Sequence, residues 1–169
     1  MLILPGTATL LVPAWILSGS ASGASHWIRI ALSVPGIAFV VAGLFLMTKT
    51  IALFSGVGEG TLAPWDPPRK LVVQGVYRYL RNPMITGVIS VLLGEAALSA
   101  SVAMLEWFLV FAVINFIYMP LLEEPLLVQR FGADYEEYRR NVPRWIPRRT
   151  PWNQPPPQAN SEPKRRTRQ

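Results

Sequence analysis

Hydrophobic residues along this chain gather into four long runs, near 2–19, 28–54, 84–99 and 102–122, with polar or breaker-rich stretches between them. A helix needs about 20 predominantly apolar residues to cross the hydrocarbon of a bilayer, and each run approaches that length. The pattern predicts an all-α, polytopic transmembrane protein of about four spans. Pro5, Gly6 and Pro13 interrupt the first run, and a cleavable signal is the competing reading. No Lys or Arg precedes Arg29, so the basic start of a signal is missing and a retained anchor is expected.

The second run carries Pro35-Gly36, Ala38, Ala42 and Gly43, small residues whose spacing lets another helix approach closely. Residues 55–70, rich in Gly and Pro, read as a loop. Their glycines lack the strand and the Lys-Ser/Thr pair of a phosphate-binding loop. The third run opens at Asn82-Pro83, where the Asn side chain is expected to cap the first turn and Pro83 suits the first helical position. From there about 17 residues, or about 25 Å of helix, lead to a tight turn at Ser99-Ala100-Ser101, and the fourth run returns. Helices of similar length bring Asn82 and Glu123 back to the same depth.

Pro120 and Pro125 bracket Glu123-Glu124 and predict a break or kink, because proline removes a backbone donor and disfavours helix just before it. Beyond them Leu127, Phe131, Tyr135 and Tyr138 share one face, with Asp134, Glu136, Glu137, Arg139 and Arg140 on others. This is an amphipathic helix for the membrane surface. After Pro147 the chain turns Pro-rich, polar and basic, the composition of a disordered tail. The expected organisation is an N-terminal hairpin over 1–54, a core over 55–147 and a tail over 148–169.

Composition narrows the chemistry. There is no cysteine, which removes disulfides, thiolate nucleophiles and sulfur-ligated metals, and no metal site is predicted. His26, the one imidazole, falls in the loop between the first two runs, across the bilayer from the polar clusters. The net charge is +6, and beyond Arg29 and Lys49 the basic residues lie in 69–81 and 130–168. That is the excess that orients membrane proteins, so both termini are expected in the cytosol, with a cytoplasmic membrane as partner and no nucleic acid.

Two polar clusters then face each other: Tyr77-Arg78-Tyr79-Leu80-Arg81-Asn82-Pro83, and the acidic pair Glu123-Glu124. Two acids opposite Arg78 and Arg81 suit a cationic ligand or a set of ion pairs. The plainer account makes the acids a solvated helix end and the arginines interfacial anchors, with Tyr77, Tyr79, Trp65 and Trp145 in the aromatic belt. Gly87, one turn beyond Pro83, leaves a bare strip for a ligand or a neighbouring helix. Glu95 and Glu106 stand near the outer turn, where acids that face the interior or reach toward the interface are expected.

These residues carry a resemblance. The order Leu71-Val72-Val73-Gln74-Gly75-Val76-Tyr77 through Arg81-Asn82-Pro83, then Gly87, Glu123-Glu124, Phe131-Gly132, Tyr135, Tyr138 and Val142-Pro143-Arg144-Trp145-Ile146-Pro147 is similar to the isoprenylcysteine carboxyl methyltransferase and phospholipid methyltransferase family of integral membrane enzymes. The likeness covers roughly residues 65–148. It implies methyl transfer from S-adenosylmethionine to a lipid-like or isoprenylcysteine-like acceptor, at a cytosol-facing pocket. Leu71, Val72, Tyr77, Asn82, Pro83, Gly87, Glu124 and Tyr135 would then hold the cofactor, with Glu123, Glu124 and Arg81 in the chemistry. Arg78 and Arg139 are the implied substrate contacts. Asn82 stands where the family has His and Ile85 where it has Tyr; Asn keeps a hydrogen bond but cannot titrate, and Ile85 has neither hydroxyl nor ring. Two rivals remain: a membrane scaffold that keeps the fold without turnover, and an NADPH-dependent membrane reductase, some of which resemble the family in their C-terminal segment.

Overall fold

Every element among the described residues is helical, as the long apolar runs require. The structure is a computed structural model, and it describes residues 6–19, 24–57, 71 and 73–153. The elements are α1 (Thr7–Gly19), α2 (His26–Val57), a 3₁₀ turn (Gly75–Arg78), α3 (Pro83–Ser99), α4 (Val102–Tyr118), α5 (Glu124–Phe131) and α6 (Ala133–Asn141). Two stretches, His26–Leu53 and Val102–Phe131, are long and apolar enough to cross a membrane, while Thr7–Gly19 and Pro83–Ser99 are shorter apolar helices. Of the expected loop 55–70, residues 55–57 continue α2 and the rest, with Trp65, lies outside the described residues.

Glycines set the spacing of α2 and α3. A Cβ built on Gly43 would sit 2.5 Å from the Gly87 carbonyl oxygen, and one on Gly94 would sit 2.6 Å from that of Gly36. Seven residues separate the two contacts on each helix, so one face of each helix presents both and the backbones meet directly. Val88 and Leu92, fully buried, extend this seam toward Phe111 of α4 and Ala8 of α1. Trp107 ties α1 down, its indole N–H donating to the Ala8 carbonyl at 3.1 Å.

The turn between α3 and α4 falls at the expected place, with Ala100 in the left-handed region at φ 47° and Ser101 accepting from the Met104 amide at 3.5 Å. Two local expectations are corrected. Asn82 makes no side-chain cap; its carbonyl accepts from the Thr86 amide, and its φ −121°, ψ 62° turn the chain into α3. The helix after Tyr118 does not break at its prolines either: Met119–Glu123 form a π turn that runs straight into α5. A π turn is wide enough to take the Pro120 ring and its missing donor without ending the helix.

The break comes at Gly132, whose φ 56°, ψ −131° is open essentially to glycine alone. It splits the amphipathic segment into α5 and α6 and folds α6 back. Tyr135, Tyr138 and Val142 become buried against Leu71, Val73, Leu127, Val128, Phe131 and Trp152. The tail expectation is corrected for 148–153: the Arg148 amide donates to the Tyr79 carbonyl at 3.0 Å and the Trp152 amide to the Arg78 carbonyl at 2.9 Å. With the Arg81 amide on the Pro143 carbonyl at 2.9 Å, residues 143–153 form a strap along 78–81. The remaining tail, 154–169, lies outside the described residues.

Candidate active site

Three elements converge on one carboxylate. Arg81, just ahead of α3, donates from Nη1 to Glu124 Oε1 at 2.6 Å. Arg144, on the strap, donates from Nε to the same oxygen at 2.6 Å and from Nη2 to Oε2 at 2.8 Å. Glu124 is 4% exposed, and the side chains of Arg81 and Arg144 are 9% and 25% exposed. Such a network persists in a nearly dry site because each carboxylate oxygen meets a guanidinium N–H. One donor is left over: Arg81 Nε is buried and has no partner among the described residues. Glu123, beside Glu124 on the π turn, is half-buried, and among the described residues its side chain has neither a hydrogen bond nor an ion pair.

A ring of tyrosines closes the other side. The Tyr138 hydroxyl donates to the Tyr77 carbonyl at 2.7 Å, binding α6 to the 3₁₀ turn. Burial pushes all three tyrosine hydroxyls above their ordinary range; Glu123 adds to the effect at Tyr77 and Glu124 at Tyr135, where the Arg81 guanidinium opposes it. The hydrogen bonds from Arg144 to Glu124 hold that guanidinium above its usual value. The site therefore combines fixed positive charge, neutral hydroxyls and one unpaired acid.

Residues 31–134, more than half of the 169-residue chain, match the model of the phospholipid methyltransferase family. The chain belongs to the phospholipid methyltransferase family. It is thus a membrane methyltransferase in general terms. No curated protein and no solved structure matches it.

In this phospholipid methyltransferase family member, the two polar clusters meet through Arg81 and Glu124, as counting along the third and fourth runs expects. Arg78 does not face the acids. Its Nε donates to the Trp152 carbonyl at 3.1 Å and its Nη2 to the Asn153 side chain, and it lines a separate groove of about 500 Å³ with Val73, Gln74, Gly75, Trp152 and Asn153. Tyr135 lies at Arg81, and Leu71 packs on the Tyr135–Tyr138 cluster. Pro83 is buried at the first position of α3, and Gly87 spends its bare face on Gly43 and Met47 of α2. Asn82 sits half-buried beside Arg81, Arg139 is exposed on α6, and Val72 lies outside the described residues. Glu95 is half-buried with Oε2 unpartnered, while Glu106 is exposed.

Sequence reasoning passed over Arg144, Trp152 and Asn153. Arg144 had a signal in the Val142-to-Pro147 block, which was used for the family and not for the site. Nothing in the sequence marks Trp152 and Asn153, because their role comes from the strap lying back on Arg78.

Proposed function

We propose that this chain is an S-adenosylmethionine-dependent methyltransferase acting on a lipid-like acceptor that reaches the site from the bilayer, on the cytosolic side. The observation that carries the reading is the Arg81–Glu124 contact at 2.6 Å, which joins the two polar blocks of the family pattern at the end of the α3–α4 hairpin. The residues present suit the cofactor's charges: the unpartnered Arg81 Nε is a donor for a carboxylate, and the unpaired Glu123 balances a cation. Tyr77 lies by Glu123 and Tyr135 by Arg81, beside the Asn82-Pro83 turn, and Leu71 packs on Tyr135 and Tyr138.

When bound, S-adenosylmethionine supplies a methyl group on a sulfonium, for in-line displacement by a nucleophilic acceptor atom. The chain's own work is positioning and exclusion of water. Glu124, already held by two guanidiniums, serves as an anchor and not as a base. Glu123 is the acid free to accept a proton from an amine acceptor, whereas a carboxylate acceptor arrives already nucleophilic. Arg81 and, on its separate groove, Arg78 are cations for an anionic acceptor group.

Calorimetric titration of the detergent-purified protein with S-adenosylmethionine tests this. Saturable binding that Glu123→Gln weakens, together with transfer of labelled methyl into a lipid extract, is expected. Absence of binding to the wild-type chain would sink the reading, and selective NADPH binding would replace it with a reductase.

A further inference from the structure

Glu124 is shared unequally between its two arginines. Arg144 spans both oxygens at 2.6 and 2.8 Å, while Arg81 reaches only Oε1, through Nη1 at 2.6 Å. A guanidinium beside a carboxylate favours the two-pronged fork, in which two parallel N–H groups engage both oxygens. Arg81 is the more buried of the two and would adopt that fork if Glu124 were its alone. Arg144 already occupies it. Arg81 is thereby left with a single bond to Glu124, with the Tyr135 hydroxyl as its other polar neighbour, and its Nε has no partner among the described residues in a nearly water-free site.

The two guanidiniums also carry one positive charge more than the Glu124 carboxylate they share can offset, with Glu123 the neighbouring acid. A spare buried donor and a local positive charge are the features of an oxyanion receptor. Arg144 reaches the site from the strap, ten residues beyond the end of the matched family stretch. The strap is held independently, by the Arg81–Pro143, Arg148–Tyr79 and Trp152–Arg78 backbone bonds.

We propose that Arg144 is a positioning residue: by filling both oxygens of Glu124 it holds that carboxylate at Nη1 of Arg81, away from the Nε–Nη2 edge, and keeps Arg81 Nε for an oxyanion of the bound ligand. The proposal rests on the methyltransferase reading above and deepens it, since it says how the anion-binding arginine is kept open. Without Arg144, Glu124 is free to swing to the Nε–Nη2 edge of Arg81 and occupy it as a fork, and the receptor is lost, although the fold remains. The oxyanion is a carboxylate or phosphate, either the methyl donor's own carboxylate or an anionic group of the acceptor.

The test uses the full chain in detergent, as wild type, Arg144→Ala, Arg144→Lys and the surface control Arg140→Ala, whose only ion pair among the described residues is an exposed 3.9 Å contact with Glu136. Each is titrated with S-adenosylhomocysteine and with 5′-methylthioadenosine, which lacks the amino-acid carboxylate. If the oxyanion is the donor's, Arg144→Ala weakens S-adenosylhomocysteine about tenfold or more and leaves methylthioadenosine unchanged. If it is the acceptor's, both nucleosides bind as in wild type and the apparent KM for a lipid extract rises by a similar factor, with kcat less affected. Arg144→Lys, which keeps the charge and loses the fork, shows the same direction and carries the comparison if the alanine variant does not fold. Equal weakening of both nucleosides, or no change in either nucleoside or in KM, overturns the proposal. A wild-type chain that binds neither nucleoside sinks the methyltransferase reading instead. Inorganic sulfate then decides: saturable thermal stabilisation that Arg144→Ala abolishes supports the positioning role, and its persistence in that variant, or its absence from wild type, overturns it.

Discussion

Gly43→Ala asks whether α2 and α3 are held at glycine contact, and the structure gives the size of the insult. The new Cβ would meet the Gly87 carbonyl oxygen at 2.5 Å, Val91 Cγ2 at 2.7 Å and the Val91 amide at 2.9 Å. Ordinary contact begins at 3.4 Å, and two of those three neighbours are backbone that cannot rotate away. The helices must therefore back off by roughly 1 Å, a gap that forfeits a quarter to a half of each dispersion contact along the seam. Overpacking of this kind costs about 1–3 kcal/mol. Gly36→Ala should cost less, because its nearest neighbours at 2.9 and 3.0 Å are side-chain atoms of Leu98, Cγ and Cδ2, on a residue 39% exposed and able to turn aside, and the nearest backbone atom, the Gly94 carbonyl oxygen, is 3.2 Å away. Gly19→Ala, with nothing within 4 Å, is the control and should be close to neutral. Unfolding titrations of the three variants in mixed micelles of mild detergent and dodecyl sulfate read the order directly. A Gly43→Ala midpoint equal to wild type, or a larger loss in Gly36→Ala than in Gly43→Ala, would refute the contact. Because α3 begins two residues after Arg81, the same displacement should lower methyl transfer as well as stability.

Glu124→Ala leaves Arg81, 9% exposed, with its charge uncompensated, and should destabilise by about 3–5 kcal/mol in the same assay; combining it with Arg81→Met should recover a substantial part. Tyr138→Phe removes the 2.7 Å bond to the Tyr77 carbonyl and should cost about 1 kcal/mol, seen as faster hydrogen exchange over 75–81. Alkaline titration offers a third check. Tyr77, Tyr135 and Tyr138 are all raised from 10.0, so they stay protonated in the folded state while the unfolded chain ionises. Below pH 10 they contribute no pH dependence; above it the folded state holds more protons, and stability falls by up to about 1.4 kcal/mol per pH unit for each. A chain with Tyr135 and Tyr138 replaced by Phe should show a shallower fall.

Much of the architecture was legible because it depends on counting. Seventeen residues from Pro83 to Ser99 and a matching return made it a geometric necessity that the Arg81 and Glu124 ends meet, and the structure joins them at 2.6 Å. The forecasts of a side-chain cap at Asn82 and of a helix break at Pro120 failed for a common reason. Each weighed one residue's preference without its surroundings: the Asn82 backbone, at φ −121°, ψ 62°, departs from the extended geometry of a capping residue, and a π turn absorbs the proline. Gly87 was legible as a bare strip, yet its partner was not, since the choice of Gly43 depends on the relative rotation of two helices far apart in sequence.

Sequence alone determined that this is an all-helical membrane protein, which family pattern it follows, and that its polar residues gather at one end of a hairpin. Those properties follow from run lengths and from local spacing, which no tertiary contact can alter. Tertiary structure alone decided which arginine each acid meets. Arg78 and Arg81 are three residues apart and chemically identical, yet one turns to the strap and the other to Glu124. Arg144 wins two of the three bonds to that carboxylate because Gly132 folds α6 back and brings the strap across 78–81. Charge pairing in a dry site is settled by angstroms of position, and those are set only when the chain has closed on itself.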